Sequence, residues 1–167
     1  MDPVKVLFVC MGNICRSPAG EGVFKHFLDT HGHAGKIMVD SAGTIGYHSG
    51  NPADPRMREA AKARGYRLES IARQITSNDI NEFDLIIAMD EDNLWDIEAL
   101  SGKPASHIRM LGTFLQEYGG QGRARSVPDP YYGGADGFEK VLDMIEQACP
   151  QILQHCLSLH ATRQDDT

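Results

Sequence analysis

Short apolar runs alternate with amphipathic segments along the 167 residues of this chain. Each run is a few residues long and mostly apolar, which is typical of strands buried on both faces of a parallel sheet. Four strands are therefore predicted, at 4–10, 36–43, 83–90 and 107–111. Apolar positions at helical spacing predict helices from Ser17 onward and over about 54–64, 91–101 and 135–158.

Strands that alternate with helices predict one α/β domain with a parallel sheet and right-handed crossovers. We expect this single domain to span residues 1–160 and to be followed by a frayed tail at 161–167. Ligands of such sheets bind beyond the carboxyl ends of the strands. We therefore expect Cys10, Ser41, Asp90 and the loop around Asp129 to gather at that edge.

Composition narrows the class of protein. Hydrophobic residues make up 41% and charged residues 23% of the chain, and the net charge is −7. These values are ordinary for a soluble globular protein, and the acidic balance argues against nucleic acid as the main partner. The sequence has no apolar run of eighteen residues and its start lacks signal-peptide features, so we expect a cytoplasmic protein without membrane insertion. In that compartment we expect the four cysteines to be reduced.

The first strand runs into a segment that carries the most informative spacing, a cysteine and an arginine separated by five residues. We call this segment, Cys10–Arg16, the anion loop. Five residues allow the backbone to curl into a cradle of inward N–H groups, and Gly12 and Asn13 tolerate the positive φ values that the curl needs. Ser17-Pro18 is typical of a helix start, which places a helix N-terminus beside the cradle. The expected phosphate-binding residues are Met11, Gly12, Asn13, Ile14, Cys15 and Ser17.

Two side chains of the anion loop carry the expected chemistry. The helix N-terminus and a nearby cation stabilise a thiolate, so we expect Cys10 to be a nucleophile at neutral pH. Arg16 offers a planar fork for two phosphate oxygens. Ser17 could either donate to the sulfur or cap the helix, and the sequence leaves both open.

Other interpretations of the cysteines have less support. A cysteine that ends a buried strand is often a small apolar residue, and the bare Cys-x5-Arg spacing is weak evidence. The nucleotide-binding loop G-x-x-x-x-G-K-[ST] is absent from the sequence. Cys149 and Cys156 lie seven residues apart and no Cys-x2-Cys pair occurs, which argues against structural zinc.

The segment Val9-Cys10-Met11-Gly12-Asn13-Ile14-Cys15-Arg16-Ser17-Pro18 resembles the signature of the low-molecular-weight protein tyrosine phosphatases. The likeness extends to residues 40–44, 72–75, 89–94 and 129–132, and so spans nearly the whole chain. The resemblance implies a flavodoxin-like four-stranded parallel sheet in the order 2-1-3-4 with helices on both faces. It also implies phosphotyrosine protein substrates, and no metal or other cofactor.

The resemblance assigns further roles by position. Asp129 is the expected general acid and base, and Tyr131, Tyr132 and Tyr47 are the expected walls of a cleft for an aryl ring. Asn13 and Ser41 are expected to hold the loop in shape, with Asp90 as a supporting carboxylate at the end of the third strand. Many family members have a histidine at the position of Ser70, so the support for the loop is expected to differ here.

Two alternatives and one regulatory role remain open at this stage. Thioredoxin-coupled arsenate reductases resemble this fold but need two further cysteines, and none occurs between Cys15 and Cys149. A redox-sensing phosphotyrosine-binding module is the second alternative. Cys15 lies close to Cys10 in sequence, so peroxide could drive a disulfide between them. We expect a monomer, with weak self-association as the alternative.

Overall fold

The computed structural model describes residues 2–120, 122–131 and 133–165. The strands are β1 (Val4–Cys10), β2 (Ile37–Gly43), β3 (Leu85–Ala88) and β4 (Ile108–Met110). The helices are α1 (Arg16–Thr30), α2 (Pro55–Ala63), α3 (Ser77–Glu82), α4 (Glu91–Ser101) and α5 (Ala135–Asp165). Two short 3₁₀ turns, Leu111–Phe114 and Gln116–Tyr118, follow β4. No helix in these ranges is long and apolar enough to cross a bilayer.

The four strands form one parallel sheet in the order β2-β1-β3-β4, which confirms the predicted fold. In the register, Cys10 lies opposite Gly43 on one side and Val9 lies opposite Ala88 on the other. The carboxyl ends of the three longest strands therefore meet at one edge of the sheet. In the order β2-β1-β3-β4, the topological switch point lies between β1 and β3 at this edge.

Two apolar clusters cover the two faces of the sheet, as the predicted layers require. Alternate residues of β1 point to opposite faces, so Phe8 packs into the cluster with α1 and α5, while Leu7 packs into the cluster with α3 and α4. A Cβ at Gly20 of α1 would lie 2.5 Å from the Phe8 ring. This glycine therefore allows α1 to pack closely on the central strand.

Several element boundaries differ from the prediction. The third strand is shorter than 83–90 because Phe83 ends α3 and Asp90 begins α4 as its N-cap. Helix α3 was not predicted, although Thr76 and Asp79 form the capping box that starts it.

The frayed tail expected at 161–167 stays a prediction, and residues 166 and 167 of it lie outside the described residues. Helix α5 continues to Asp165 and contains Pro150. Arg163 pairs with Asp84, and its Nη1 donates to the Pro3 carbonyl at 3.0 Å. These contacts hold the last turns of α5 against the amino-terminal end of the sheet, away from the edge that carries the site.

Candidate active site

The anion loop connects β1 directly to α1, because Cys10 ends the strand and Arg16 begins the helix. Asn13 has φ of 58°, the only positive value of a non-glycine among the described residues. A Cβ on the neighbouring Gly43 would lie 2.8 Å from the Met11 carbonyl oxygen. The tight curl therefore depends on an asparagine that tolerates left-handed backbone and on a glycine that lets the loop approach β2.

Backbone hydrogen bonds from outside fix the carbonyl groups of the anion loop. Thr44 N donates to Cys10 O at 2.9 Å, and Ile45 N donates to Met11 O at 3.1 Å. Asp54 N donates to Ile14 O at 2.8 Å. Because these three carbonyls are bonded to residues outside the loop, we expect N–H groups of the loop to face its concave side, next to the N-terminus of α1. This arrangement favours a bound anion.

Cys10 lies at the base of the concave loop and is buried. Its Sγ lies 3.0 Å from Ser17 Oγ, and Ser17 N donates to the sulfur at 3.4 Å. Ser17 lies inside α1, whose N-cap is Cys15 without a side-chain cap bond. The Ser17 hydroxyl therefore lies beside the sulfur, with the Ala42 carbonyl oxygen as a further acceptor at 3.3 Å, and it does not cap the helix.

Arg16 is buried, with 3% of its surface exposed, and is held by oxygens from two other elements. Its Nη1 donates to Asp90 Oδ2 at 2.5 Å and to Val127 O at 3.0 Å. Burial opposes the charge, but Cys10, Asp90 and Asp129 outweigh it and raise the pKa of Arg16. The guanidinium is therefore a fixed cation in the same cleft as Cys10.

The structure places Asp90 as the side chain that orients Arg16. As the N-cap of α4, Asp90 accepts from Asn93 N at 2.8 Å through Oδ1, which leaves Oδ2 for the guanidinium. Asn93 Oδ1 in turn accepts from Asp90 N at 3.2 Å. This capping box fixes the carboxylate, so the arginine that it holds is fixed as well.

Asp129 lies in the 127–131 segment, which we call the acid loop. Its Oδ1 accepts from Tyr131 N at 3.0 Å, and its Oδ2 lies 3.7 Å from Arg16 Nη2. Val127 N donates to Met89 O at 2.8 Å and anchors the start of the acid loop beside β3. The Asp129 side chain is 40% exposed, so its carboxyl group faces both the arginine and the solvent.

The anion loop and the acid loop enclose a cleft of about 310 Å³. It is lined by Cys10, Met11, Gly12, Ile14, Cys15, Arg16, Ile45, Tyr47, His48, Asp129 and Tyr131. Tyr47 is 84% exposed at the rim, and Tyr131 stands on the acid-loop side. Tyr132, the second expected wall residue, lies outside the described residues. A larger cavity of about 590 Å³ lies elsewhere, around Glu21 and Ser70, away from the nucleophile.

A buried chain of side chains holds the anion loop in shape. Asn13 Nδ2 donates to Ser17 Oγ at 2.8 Å and to Ser41 Oγ at 3.0 Å, while Asn13 Oδ1 accepts from Arg73 N at 3.0 Å. Ser41 Oγ then donates to Glu21 Oε1 at 2.7 Å. The Ser70 hydroxyl is buried and finds no hydrogen-bond partner within the described ranges. The other Glu21 oxygen, Oε2, accepts from Lys25 Nζ at 2.5 Å, so the network runs from the anion loop to a half-exposed lysine, and Ser70 contributes no hydrogen bond to it.

Sequence reasoning missed three residues of this region. Glu21 lies one helical turn after Ser17 and is 7% exposed, and this spacing on one helix face is the signal that could have revealed it. His48 packs over the loop, since a Cβ at Gly12 would lie 3.0 Å from its Cδ2. Arg56 stacks on Tyr131, with Cζ 5.3 Å from the ring centroid. The contacts of His48 and Arg56 depend on tertiary packing and carry no local signal.

The surroundings of the other three thiols favour their neutral form. Burial, and then the charges of Asp54, Cys10 and Asp129, raise the pKa of Cys15 far above its ordinary value. Burial likewise raises the pKa of Cys149 and of Cys156 to about 12. These three therefore stay neutral thiols at physiological pH. Within the described ranges, no group of three or more His, Cys, Asp or Glu side chains could hold a metal ion.

Comparison with known proteins places this geometry in a family. The family model described as low molecular weight phosphotyrosine protein phosphatase matches residues 5–164. A Synechocystis sp. protein that carries the name of this phosphatase class is 47% identical over 152 residues, which are 90% of this chain and 94% of the relative.

Solved structures of phosphatases superpose on this chain. YfkJ from Bacillus subtilis superposes with a TM-score of 0.85 at 38% identity and covers 95% of this chain and 97% of its own. The Drosophila arginine phosphatase DARP superposes with a TM-score of 0.80 at 33% identity, with 91% and 97% coverage. The chain therefore belongs to the low molecular weight phosphotyrosine protein phosphatase family, whose members are hydrolases.

Proposed function

We propose that this protein hydrolyses phosphotyrosine in proteins, and aryl phosphates in general, through a phosphocysteine intermediate on Cys10. The observation that carries the proposal is the convergence of three groups from distant parts of the chain in one cleft. Cys10 lies on the concave side of the anion loop, Arg16 is held beside it, and Asp129 faces Arg16 at 3.7 Å. A nucleophile, an oxyanion-binding cation and an acid are the groups that phosphate ester cleavage needs.

In the first step the Cys10 thiolate attacks phosphorus in line, opposite the bond to the aryl oxygen. The S–P bond forms while the P–O bond breaks, and Asp129 in its acid form gives its proton to the departing oxygen. The N–H groups of the anion loop and the fixed Arg16 fork hold the three non-bridging oxygens. Because Arg16 is already oriented by Asp90, little reorganisation is needed as charge develops on these oxygens.

In the second step water attacks the phosphocysteine and the S–P bond breaks. Asp129, now a carboxylate, takes a proton from the water, and inorganic phosphate leaves. Cys10 departs as a thiolate, and the Ser17 hydroxyl at 3.0 Å can donate to the developing charge on sulfur. The same residue thus supports sulfur as nucleophile and as leaving group.

The walls of the cleft favour an aryl ester over an alkyl ester. Tyr131 and Tyr47 line the cleft with aromatic side chains, and Ile14 of the anion loop adds an apolar side chain. Aromatic pairs contribute about 0.5–1.5 kcal/mol beyond the burial of their area. A phenyl ring also separates phosphate from backbone by more than a serine side chain does, which suits a nucleophile that lies at the base of a cleft.

Phosphoarginine is the second candidate substrate, because the structurally similar DARP is named an arginine phosphatase. A planar guanidine could also lie between aromatic walls, and Asp129 could protonate its departing nitrogen. The apolar wall at Ile14 favours the phenyl ring, since it offers a guanidine no hydrogen bond.

A redox role for Cys15 is part of the proposal. Peroxide would oxidise the Cys10 thiolate to a sulfenic acid, and attack by Cys15 would then release water and form a disulfide. The raised pKa of Cys15 makes its thiolate scarce, so the ring closure is expected to be slow unless the site relaxes. A cytoplasmic location and a monomeric state stay predictions from the sequence.

A matched set of phosphopeptides tests the proposal, with tyrosine, serine or arginine phosphorylated at one position of the same sequence. The expected result is release of phosphate from the phosphotyrosine peptide at a kcat/KM at least about 100-fold above the other two. Asp129→Asn should lower the phosphotyrosine kcat/KM by about 100-fold without unfolding the protein. Preferred cleavage of the phosphoarginine peptide would support the second candidate, and equal cleavage of phosphoserine would contradict the aryl cleft.

A further inference from the structure

The acid loop, which carries Asp129, meets the anion loop at Arg16, whose Nη1 donates to Val127 O at 3.0 Å. Across the cleft, Asp129 Oδ2 lies 3.7 Å from Arg16 Nη2, which is beyond normal hydrogen-bond distance. The other oxygen, Oδ1, accepts from Tyr131 N. The position of the carboxyl group therefore depends on where Tyr131 is held.

A side chain from another element lies against Tyr131. Arg56, near the start of α2, places its Cζ 5.3 Å from the Tyr131 ring centroid and 5.0 Å from the ring centroid of Phe138. Phe138 is buried and belongs to α5, the helix that follows the acid loop. The guanidinium thus packs on the acid loop and on the element that continues it. A cation at these distances from aromatic rings is attracted to both.

The other end of this connection is the anion loop. Arg56 Nε and Nη2 donate to the two carboxylate oxygens of Asp54 at 3.1 and 2.9 Å. Asp54 is buried, and its backbone N donates to Ile14 O at 2.8 Å. The bidentate pair fixes the plane of the guanidinium, and the backbone bond fixes that plane relative to the anion loop.

We propose that Arg56 is a positioning residue for the general acid, which holds Tyr131, and hence Asp129, at a fixed place over the anion loop. The proposal rests on the proposed role of Asp129. Arg56 does not touch the reacting atoms in this account. The pair with Asp54 fixes Arg56 relative to the anion loop. The contact with Tyr131 then fixes the acid loop relative to Arg56.

Two simpler roles for Arg56 make different predictions. If Arg56 only supports the start of α2, its loss should lower stability but not change the balance between substrates. If its half-exposed guanidinium binds acidic residues of a substrate, its loss should raise KM for phosphopeptides and leave small aryl phosphates unaffected. A positioning role should instead act on the step that needs the proton.

The test compares two small esters that differ in their need for an acid. Phenyl phosphate has a poor leaving group that needs a proton, whereas 2,4-dinitrophenyl phosphate has a good one that does not. Arg56→Met is expected to lower kcat/KM by about 10-fold for phenyl phosphate and by less than about 2-fold for the dinitrophenyl ester. Arg56→Lys is expected to recover part of the loss, since a lysine keeps the charge but not the bidentate fork.

The matched control is Arg58→Met on the same helix, because Arg58 Nε donates to the Ala53 carbonyl at 3.0 Å. It should leave both esters unchanged. Activity on the dinitrophenyl ester also shows that each variant is folded. An equal loss on both esters, or no loss on either, would overturn the role of Arg56.

Asp129→Asn serves as the reference for the proposed function. It should show the same selectivity for the poor leaving group, with a larger loss. If Asp129→Asn lacks that selectivity, the acid itself is wrongly assigned. If Asp129→Asn shows it and Arg56→Met does not, only the inference about Arg56 fails.

Discussion

The anion loop and the acid loop face each other across one cleft, and the chain holds them by different means. Backbone hydrogen bonds from 44, 45 and 54 fix the carbonyls of the anion loop, and a buried network through Asn13 and Ser41 fixes its shape. The acid loop is anchored by Val127 at its start and is contacted near its end by the half-exposed Arg56.

This difference matches the tasks of the two loops. The phosphate oxygens need donors that are in place before charge develops, and a buried, fully bonded network keeps such donors in place. In the proposed mechanism the acid reaches a leaving group, gives a proton and then takes one from water, which requires contact with solvent. The exposure of the Asp129 carboxyl group is consistent with that proposed role.

The largest effect is expected when the proposed nucleophile of the anion loop, Cys10, is replaced. Cys10→Ser should lower turnover by about 10⁴-fold or more for every leaving group, because an alcohol at this site is far less nucleophilic than a thiolate. The fold should persist, since serine has nearly the same shape. Steady-state assays with both aryl esters, beside circular dichroism spectra, would check this. Turnover of wild-type size would exclude Cys10 as the nucleophile.

A smaller effect is expected when a side chain that supports only the anion loop is replaced. Ser41→Ala removes the hydrogen bond to the buried Glu21 carboxylate and one donor bond from Asn13. We expect a loss of about 1–3 kcal/mol in the free energy of unfolding, because Oε1 of the buried Glu21 carboxylate loses its donor while Oε2 keeps its ion pair with Lys25. Catalysis should fall by the same factor for good and poor leaving groups, unlike the selective loss expected for Arg56→Met.

Ser70→Ala is the matched control, because it makes the same substitution at a hydroxyl with no partner in the described part of the chain. It should change the free energy of unfolding by less than about 0.5 kcal/mol, measured by urea denaturation. If the two variants were equally destabilised, the hydrogen bonds of Ser41 to Asn13 and Glu21 would not be what supports the loop.

The smallest expected effect concerns the link between the loops and depends on pH. Burial opposes ionisation of Asp54, but hydrogen bonds from Arg56 outweigh it and hold the pKa of that carboxyl below its ordinary value of 3.8. A lowered pKa contributes stability above the unfolded-state value, and this contribution is lost as pH falls through the folded-state value. Asp54→Asn, which keeps a capping side chain, should therefore be less stable than wild type at pH 7 and converge with it below pH 3.8.

Asp54→Ala also removes the N-cap of α2, so it should cost about 1 kcal/mol more than Asp54→Asn at neutral pH. Thermal unfolding of the three proteins across this pH range gives the measurement. A gap between wild type and Asp54→Asn that widens on acidification would show that the sign of the linkage is wrong.

Local patterns in the sequence were sufficient for the framework of the fold. Each of the four apolar runs contains a strand, although β3 is shorter than its run, and the segment between Cys10 and Arg16 joins a strand to a helix as predicted. The order β2-β1-β3-β4 came from the resemblance to a family and is confirmed by the structure. Helix α3 was not predicted, because its six residues are too few to show a helical pattern of apolar positions. Its capping box, Thr76 and Asp79, is nevertheless present in the sequence.

The supporting contacts could not be predicted in the same way. Ser17 had two plausible partners, and only the start of α1 at Arg16 shows that its hydroxyl meets the sulfur. Glu21 and Arg56 take their roles from residues 20 and 75 positions away, at Ser41 and Tyr131. Sequence distance hides such pairs, because their contact is decided by packing of the finished fold.

The covalent intermediate is the most direct test of the central claim. The protein is mixed with excess p-nitrophenyl phosphate, quenched in the steady state, and digested for peptide mass spectrometry under conditions that preserve thiophosphate esters. The account predicts one added phosphoryl group on the peptide that contains Cys10, and none in Cys10→Ser. Turnover without any phosphorylated peptide, or with the phosphoryl group on another residue, would contradict it.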